Sequence, residues 1–389
     1  MNPSLSPEQE EIRELVRVLV RRKIAPRAEN HDRTGAFPSE NFADLAEAEL
    51  LGLLIPIEQG GLGADMVTYA LVIEELARGC GSTALIFAMH CGATHAIASG
   101  GTAEQKERYL RPVVADGKLF AWGFSEPGTG GNILRPQLRA CQQDGAFVLN
   151  GRKSFCTGAG HVDYYLINGQ AENAADFAQS QHLFVIEPQA VGLSVNESWD
   201  SLGMRANCSN DLVIDGIRLC AHACIGGPGA GVQILSRSIA PLILGLAATS
   251  LGVGVAAYEF ARDHVSQRFV APTNRPLAAF QAVRMMVADM AIMDHTARLT
   301  LRHAAWWADR DILEALPAMN MAKFVCNKNA IDIASTAMQV CGGQGYLRRF
   351  PLERHFRDSR AGAVMGANLE VLRDMVGKSA LGLDPRQQD

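Results

Sequence analysis

The sequence lacks the features that mark several special classes of protein. Its 389 residues carry 36 Lys and Arg against 41 Asp and Glu, a net charge of −5. Without an excess of basic residues the sequence does not indicate a positively charged surface for nucleic acid, so we predict no nucleic-acid partner. Charged residues make up only 20% and hydrophobic residues 48%, which favours a well-buried globular protein of two or three domains over a disordered chain.

The N-terminal segment lacks the basic region and apolar run that are typical of a secretory signal. The nine cysteines are odd in number and scattered, which indicates reduced core residues in a reducing compartment. Cys220, His222 and Cys224 bring soft ligands together, but no second cluster follows at zinc-finger spacing. We therefore predict a cytoplasmic protein without a metal site.

One uncharged stretch, residues 238–258, is long enough to cross a bilayer. It contains Pro241 and several glycines, and no polybasic segment follows it. We interpret it as a buried core helix and predict no membrane span.

The hydrophobic periodicity changes twice along the chain. Residues 1–118 show helical patterns, beginning with Ser6, Pro7 and Gln9 as a helix start. Residues 119–228 show short runs rich in β-branched and aromatic residues, and Asn150-Gly151 predicts a hairpin there. Residues 229–389 return to long apolar helical patterns that suit a bundle, over 232–266, 279–308, 318–342 and 367–380. The predicted fold is mainly α with a central β domain.

A glycine cluster follows the third of these bundle helices. The run from Gln339 to Gly343 reads QVCGG, and glycine without a Cβ lets backbone approach a ligand closely. It is a candidate phosphate or nucleotide site. The alternative is a helix C-cap followed by a loop with solvated arginines.

Six short motifs occur in an order that covers nearly the whole chain. Together they resemble the acyl-CoA dehydrogenase family of flavoproteins. The resemblance implies an N-terminal helical domain, a middle β-barrel-like domain and a C-terminal four-helix bundle, over residues 1–118, 119–228 and 229–389. The motifs are EQGGLG at 58–63, FSEPG at 124–128, NGRK at 150–153, LGMR at 202–205, FQ at 280–281 and QVCGG at 339–343.

The resemblance implies FAD as cofactor. The segment from Trp122 onward would line the pyrimidine side of the flavin, the ring of Phe155 would cover it, and the Thr157 hydroxyl would donate near N5. Arg268 and the 339–343 loop would hold pyrophosphate and adenosine across a subunit interface. The implied FAD contacts are Trp122, Phe124, Ser125, Gly130, Gly131, Phe155, Cys156, Thr157, Arg268, Gln281, Gln339, Val340, Cys341, Gly342, Gly343, Asn368 and Glu370.

The resemblance also implies partners. The substrate would be an acyl thioester bound to CoA or to an acyl carrier protein. The chain would form a homotetramer or homodimer, and a second flavoprotein would accept its electrons.

The sequence departs from the family where the base is expected. Most members use a Glu to remove the α-proton of the thioester, and counting on from Arg357-Asp358 places that position at Gly366. Relatives that move the base to a Glu on the helix preceding the long apolar stretch would match residues 240–244, which hold neither a Glu nor the usual adjacent Arg. The family's Ser-Asp after the FSEPG turn is Gly131-Asn132 here. Glu370, one helical turn beyond Gly366, is the remaining catalytic candidate.

Four functions therefore stay open at the level of sequence. The first is α,β-dehydrogenation of an acyl thioester by hydride transfer to flavin N5. The second is an enoyl-thioester reductase or desaturase that uses the same chemistry. The third is a flavin monooxygenase of this fold, which does not need the carboxylate, and the fourth is a non-catalytic flavoprotein that acts as a binding partner.

Overall fold

The N-terminal part of the chain is helical in the computed structural model, which describes residues 5–130, 135–171 and 176–383. Ser6 begins the first helix with a capping box, since its hydroxyl accepts from Gln9 N and the Gln9 side chain accepts from Ser6 N. A π-helical turn at Val20–Ile24 joins the first two helices. The helices are α1 (Pro7–Leu19), α2 (Ala25–Thr34), α3 (Ser39–Glu47), α4 (Met66–Gly79), α5 (Gly81–Gly100) and α6 (Ala103–Asp116).

The middle of the chain forms a curled seven-stranded sheet with the order β1-β4-β2-β3-β7-β6, and β5 pairs with β4. β4 pairs in parallel with β1 and β2, and the other pairs are antiparallel. The strands are β1 (Phe120–Gly123), β2 (Arg139–Gln143), β3 (Ala146–Cys156), β4 (Tyr164–Ala171), β5 (Gln181–Ile186), β6 (Leu193–Asn196) and β7 (Asn210–Cys220).

The hairpin predicted at Asn150-Gly151 is wrong. These two residues lie inside β3, where the pairing with β7 shifts register between Leu149 and Gly151. The turn between β2 and β3 is made by Asp144 and Gly145, with φ of 50° and 73°. Positive φ at both central residues is what a tight two-residue hairpin requires.

The C-terminal part is a bundle of long helices. Its elements are α7 (Gly231–Gln267), β8 (Phe269–Val270), β9 (Arg275–Pro276), α8 (Gln281–Ala308), α9 (Leu316–Cys341), α10 (Leu352–Ala361) and α11 (Leu369–Ala380). α7 packs against α4, α5, α8 and α9, so it lies at the centre of the molecule.

Within the described part of the chain, α7 is the one helix that is long and apolar enough to cross a membrane. Of its most apolar 18-residue stretch, 78% is buried inside the protein. Its glycines allow this burial. A Cβ on Gly245 would lie 2.2 Å from the hydroxyl of the fully buried Tyr69, which donates to the Pro241 carbonyl. The close approach of α4 to α7 therefore requires glycine at this position.

Candidate functional site

Phe155 is held in a strained conformation at the end of β3. Its φ is 55°, and the register of β3 against β7 shifts between Lys153 and Cys156. Its side chain is nevertheless 68% exposed, so no core packing accounts for the strain. A bulky residue with positive φ costs free energy and is a mark of functional sites. We infer that the ring is presented to a ligand.

Thr157 lies two residues further on, on the buried side of this bulge. Its hydroxyl is 3.0 Å from the hydroxyl of Ser209, and both residues are buried. Because a hydroxyl both donates and accepts, Ser209 fixes the orientation of the Thr157 hydroxyl. Cys156, between Phe155 and Thr157, points inward, where its Sγ lies 3.1 Å from the position of a Cβ on Gly123.

The segment from Trp122 to Gly130 changes from core to surface. Trp122 and Phe124 are buried and packed on each other, with ring centroids 4.5 Å apart. Ser125 is half-buried, and its carbonyl accepts from Ser154 N. Gly128 and Gly130 have positive φ, and no described atom lies within 4 Å of a Cβ placed on either. The described residues therefore leave the backbone at the end of the segment uncovered, whereas Gly131 lies outside the described residues.

A buried ion pair fixes this segment to β3. Lys153 Nζ donates to Glu126 Oε1 at 2.6 Å and to Asn168 Oδ1 at 2.7 Å. Glu126 also accepts from Gln137 N and Leu138 N. Burial lowers the pKa of Lys153 to about 8, although Glu126 favours its charged form. Because Glu126 belongs to the glycine segment and Lys153 lies two residues before Phe155, the pair holds the segment near Phe155. Removing one partner from such a buried pair strongly destabilises a fold.

A second group of predicted residues meets at one end of the bundle. Arg268 follows α7, Gln281 begins α8 and Gln339 lies near the end of α9, and all three side chains are exposed. Gly342 has φ of 61°, and no described atom lies within 4 Å of a Cβ on it or on Gly343. Val340 and Cys341, by contrast, are buried in the cluster that packs the ends of these helices.

The two groups are separate within one chain. The first belongs to β1 and β3, and the second to the ends of α7, α8 and α9. No main packing contact among the described elements joins β1 or β3 to α8 or α9.

Gly366 lies in the loop between α10 and α11 and has φ of 64°. A Cβ there would lie 2.8 Å from Leu246 Cδ1 of α7 and 3.4 Å from Lys323 Nζ of α9. Asn368 caps α11, since its side chain accepts from Val371 N at 2.8 Å. Glu370 lies in the first turn of α11 and is exposed.

Two buried side chains of α9 hold this loop. Lys323 Nζ donates to the carbonyls of Met365 at 3.1 Å and Ala367 at 2.5 Å, on either side of Gly366. One helical turn further on, Asn327 Nδ2 donates to the Gly362 carbonyl at 2.5 Å. Burial lowers the pKa of Lys323 to about 7. Sequence reasoning missed both residues, although a lysine inside the apolar run NMAKFVC was a signal for one of them.

Family models cover nearly all of the chain. Those for the N-terminal, middle and C-terminal domains of acyl-CoA dehydrogenases match residues 6–117, 121–217 and 229–381. The chain belongs to the acyl-CoA dehydrogenase family. The predicted family and fold class are therefore confirmed, and the enzyme class is that of FAD-dependent oxidoreductases.

The chain is similar to individual family members over nearly its full length. The chain is 31% identical to an acyl-CoA dehydrogenase of Bacillus subtilis over 97% of this chain and 99% of the relative. It is 29% identical to the 3-(aryl)acrylate reductase of Clostridium sporogenes, over 96% of this chain and 98% of that relative. The solved structure of a glutaryl-coenzyme A dehydrogenase–glutaryl-CoA complex superposes with a TM-score of 0.93 at 26% identity, covering 100% of this chain and 99% of that one.

As an acyl-CoA dehydrogenase family member, the protein is distinguished by the position expected to carry the base. The residue there is Gly366, and its neighbours are an aliphatic side chain and an amine. The FAD contacts and the role of Glu370 remain predictions, as do the three domain boundaries.

Proposed function

We propose that the protein binds FAD and dehydrogenates an acyl thioester between its α- and β-carbons. The observation that carries the proposal is Phe155, an exposed aromatic residue in a strained conformation beside the open glycines of the 125–130 segment. When bound, FAD supplies the acceptor for the hydride that leaves the β-carbon. The protein has to bind and orient both molecules and to take up the α-proton.

The residues around Phe155 fit a flavin. The exposed ring offers a flat apolar face, and Gly128 and Gly130 leave backbone open to approach. The Thr157 hydroxyl is oriented by Ser209, which leaves its second hydrogen-bonding capacity for a ring heteroatom. A donor aimed where negative charge develops would stabilise the reduced cofactor.

We infer that a second copy of the chain completes the cofactor site. Arg268 and Gln281 supply polar side chains for a pyrophosphate, and Gly342 and Gly343 supply open backbone. The separation of this group from Phe155 within one chain supports a contact in trans. An exposed apolar stripe on α8 offers a surface for association, since Met285, Ile292 and Leu299 recur every seven residues with exposures of 61%, 61% and 37%.

The substrate and partners are proposed at the level of chemical class. The substrate is an acyl thioester on CoA or an acyl carrier protein, and a second flavoprotein accepts the electrons. The assembly is a homotetramer or homodimer in the cytoplasm. A reductase among the relatives makes the direction of the reaction part of the test.

Anaerobic flavin reduction tests the proposed function. Purified protein reconstituted with FAD is mixed without oxygen with butanoyl-CoA or butanoyl-pantetheine, and the visible flavin absorbance is followed. Dehydrogenation predicts bleaching by the thioester alone, with formation of the enoyl product. Protein that binds no FAD would overturn the proposal. Oxidation of pre-reduced flavin by crotonyl-CoA, without bleaching by the saturated thioester, would instead assign a reductase.

A further inference from the structure

An amine lies close to the residue at the position expected to carry the family base. Lys323 Nζ is 3.4 Å from the position that a Cβ on Gly366 would take. The carboxylate of a glutamate lies at a comparable distance, roughly 3–4 Å from its own Cβ. A different helix thus brings a titratable group within a side chain's length of residue 366.

We propose that Lys323, as an uncharged amine, is the base that takes the α-proton of the acyl thioester. This inference rests on the proposed function. The lone pair on Nζ forms a bond to the α-proton, and the C–H electron pair becomes the α,β double bond as the β-carbon releases a hydride to FAD. The thioester is oxidised, FAD is reduced, and the proton remains on the lysine.

The hydrogen bonds of Lys323 suit an uncharged amine. A neutral amine has two N–H bonds and one lone pair, whereas an ammonium has three N–H bonds. The carbonyls of Met365 and Ala367 accept from two N–H bonds. No third acceptor is found among the described residues, so a proton on the amine would lack a partner there.

Among the described residues, no charge compensates that of a protonated Lys323. Its side chain is 2% exposed, and the lowering of its pKa to about 7 has burial as its cause. Helices α7, α8, α10 and α11 all pack against α9. Several ionisable groups on them have partners elsewhere. Glu259 of α7 pairs with Arg78, and Asp294 of α8 pairs with Arg298. On α10, Asp358 accepts from Met204 N, and on α11, Asp374 pairs with Lys378.

The neighbours of the amine fit a proton acceptor near the working pH. Leu246 supplies an apolar wall from α7, which maintains the desolvation. Gly366 is exposed, so the loop forms a boundary between the buried amine and the space outside it. A general base is most effective when its pKa lies near the pH at which it works.

Hydrogen exchange tests the base without requiring flavin reduction. The probe is acetyl-CoA, with acetyl-pantetheine in parallel, because an acetyl thioester has α-hydrogens but no β-carbon from which hydride can leave. Protein and probe are incubated in deuterated buffer, and deuterium in the acetyl group is measured by mass spectrometry. We expect exchange above the protein-free background, with a rate that rises as the pH increases through about 7.

Substitutions separate a base from a structural lysine. K323R keeps a donor for the two carbonyls but cannot lose a proton near neutral pH. We expect K323R and K323M to reduce exchange by roughly 100-fold or more, the usual contribution of a general base. N327A is the matched control, because it removes a hydrogen bond to the same loop and leaves the amine in place, and it should keep exchange within a few-fold of wild type.

The outcomes distinguish this inference from the proposed function. Wild-type exchange rates in K323R would overturn the lysine base even if butanoyl-CoA bleaches the flavin. A wild-type protein that bleaches with butanoyl-CoA but exchanges no acetyl hydrogen would overturn it as well. An equal loss in N327A would assign Lys323 to loop positioning. Melting temperature and FAD content of each variant show whether the fold is retained.

Discussion

At the scale of single residues, the conformation and packing of Gly366 both disfavour a glutamate at this position. Its φ of 64° lies in the left-handed region, where residues other than glycine are disfavoured. The space beside it is filled by Leu246, 2.8 Å from where a Cβ would lie. Backbone conformation and packing therefore both suit glycine at the position expected to carry the family's base.

G366E is accordingly expected to destabilise the fold and to leave acyl thioester oxidation unrestored. The left-handed conformation costs roughly 1–2 kcal/mol for a residue with a Cβ, and overpacking against Leu246 adds to it. Urea unfolding measures the free energy, and flavin bleaching measures the activity. G366A carries the same Cβ without the carboxylate and should lose a similar amount. An unchanged unfolding midpoint in both variants would contradict this account.

Phe155 allows the opposite experiment. F155G should raise the free energy of unfolding by about 1 kcal/mol, because it relieves a positive φ at a side chain that buries little. It should also weaken FAD retention, because the aromatic face is gone. F155A removes the ring but keeps the strain, so it should lose FAD without the gain in stability. Equal unfolding midpoints for F155G and F155A would contradict stored strain.

Candidate residues could be named from the sequence only where a motif fixed the position, and their roles remain predictions. Counting from Arg357-Asp358 located Gly366, and the aromatic-x-Thr pattern singled out Phe155 and Thr157. Lys323 was missed because its burial and hydrogen bonds depend on a loop about forty residues away in sequence. The hydroxyl pair of Thr157 and Ser209 likewise joins the residue after β3 to the residue before β7, which periodicity within one strand cannot indicate.

At the scale of elements, His90 connects α5 to two neighbouring segments. Its Nε2 lies 2.9 Å from the Leu51 carbonyl, and its Nδ1 accepts from Phe120 N at the start of β1. These partners require a neutral ring with the proton on Nε2. Burial lowers the pKa of His90 to about 4.

The stability that His90 contributes should fall with acidification. Its pKa is lower in the folded state than in the unfolded chain, so the unfolded state binds more protons between about pH 6.5 and pH 4. The contribution is complete above pH 6.5 and is lost as the pH falls toward 4, by roughly 3 kcal/mol. H90Q should be less stable at pH 7 but should lose less between pH 6.5 and 4. Urea unfolding at several pH values measures this, and parallel curves would contradict it.

Long helices were the elements that the sequence predicted best, because many turns of apolar periodicity average out local exceptions. The predicted helix over 232–266 differs from α7 by one residue at each end. The hairpin at Asn150-Gly151 was wrong, because a strong turn dipeptide was accommodated as an irregularity inside a strand paired on both sides. α10 was not predicted, since its sequence LERHFRDSRA has few apolar residues and owes its place to packing on α7 and α9.

At the scale of the whole molecule, the candidate flavin residues form two groups whose elements share no main packing contact in the described part of the chain. Phe155 and the 125–130 segment belong to the sheet, whereas Arg268, Gln281 and the 339–343 loop belong to one end of the bundle. In the proposed assembly, the α8 stripe is the surface through which two copies associate. Cofactor binding and oligomerisation should therefore depend on each other.

I292E tests that dependence at the centre of the stripe. Ile292 is 61% exposed in the single chain, so a charge there should leave the folded monomer within about 0.5 kcal/mol of wild type. In an apolar interface the same carboxylate would be desolvated without a partner, which costs several kcal/mol. We expect a smaller particle in sedimentation velocity and loss of FAD together. V191E is the control, because Val191 is 92% exposed on the loop before β6. A dissociated I292E that retained FAD would show that one chain holds the cofactor alone.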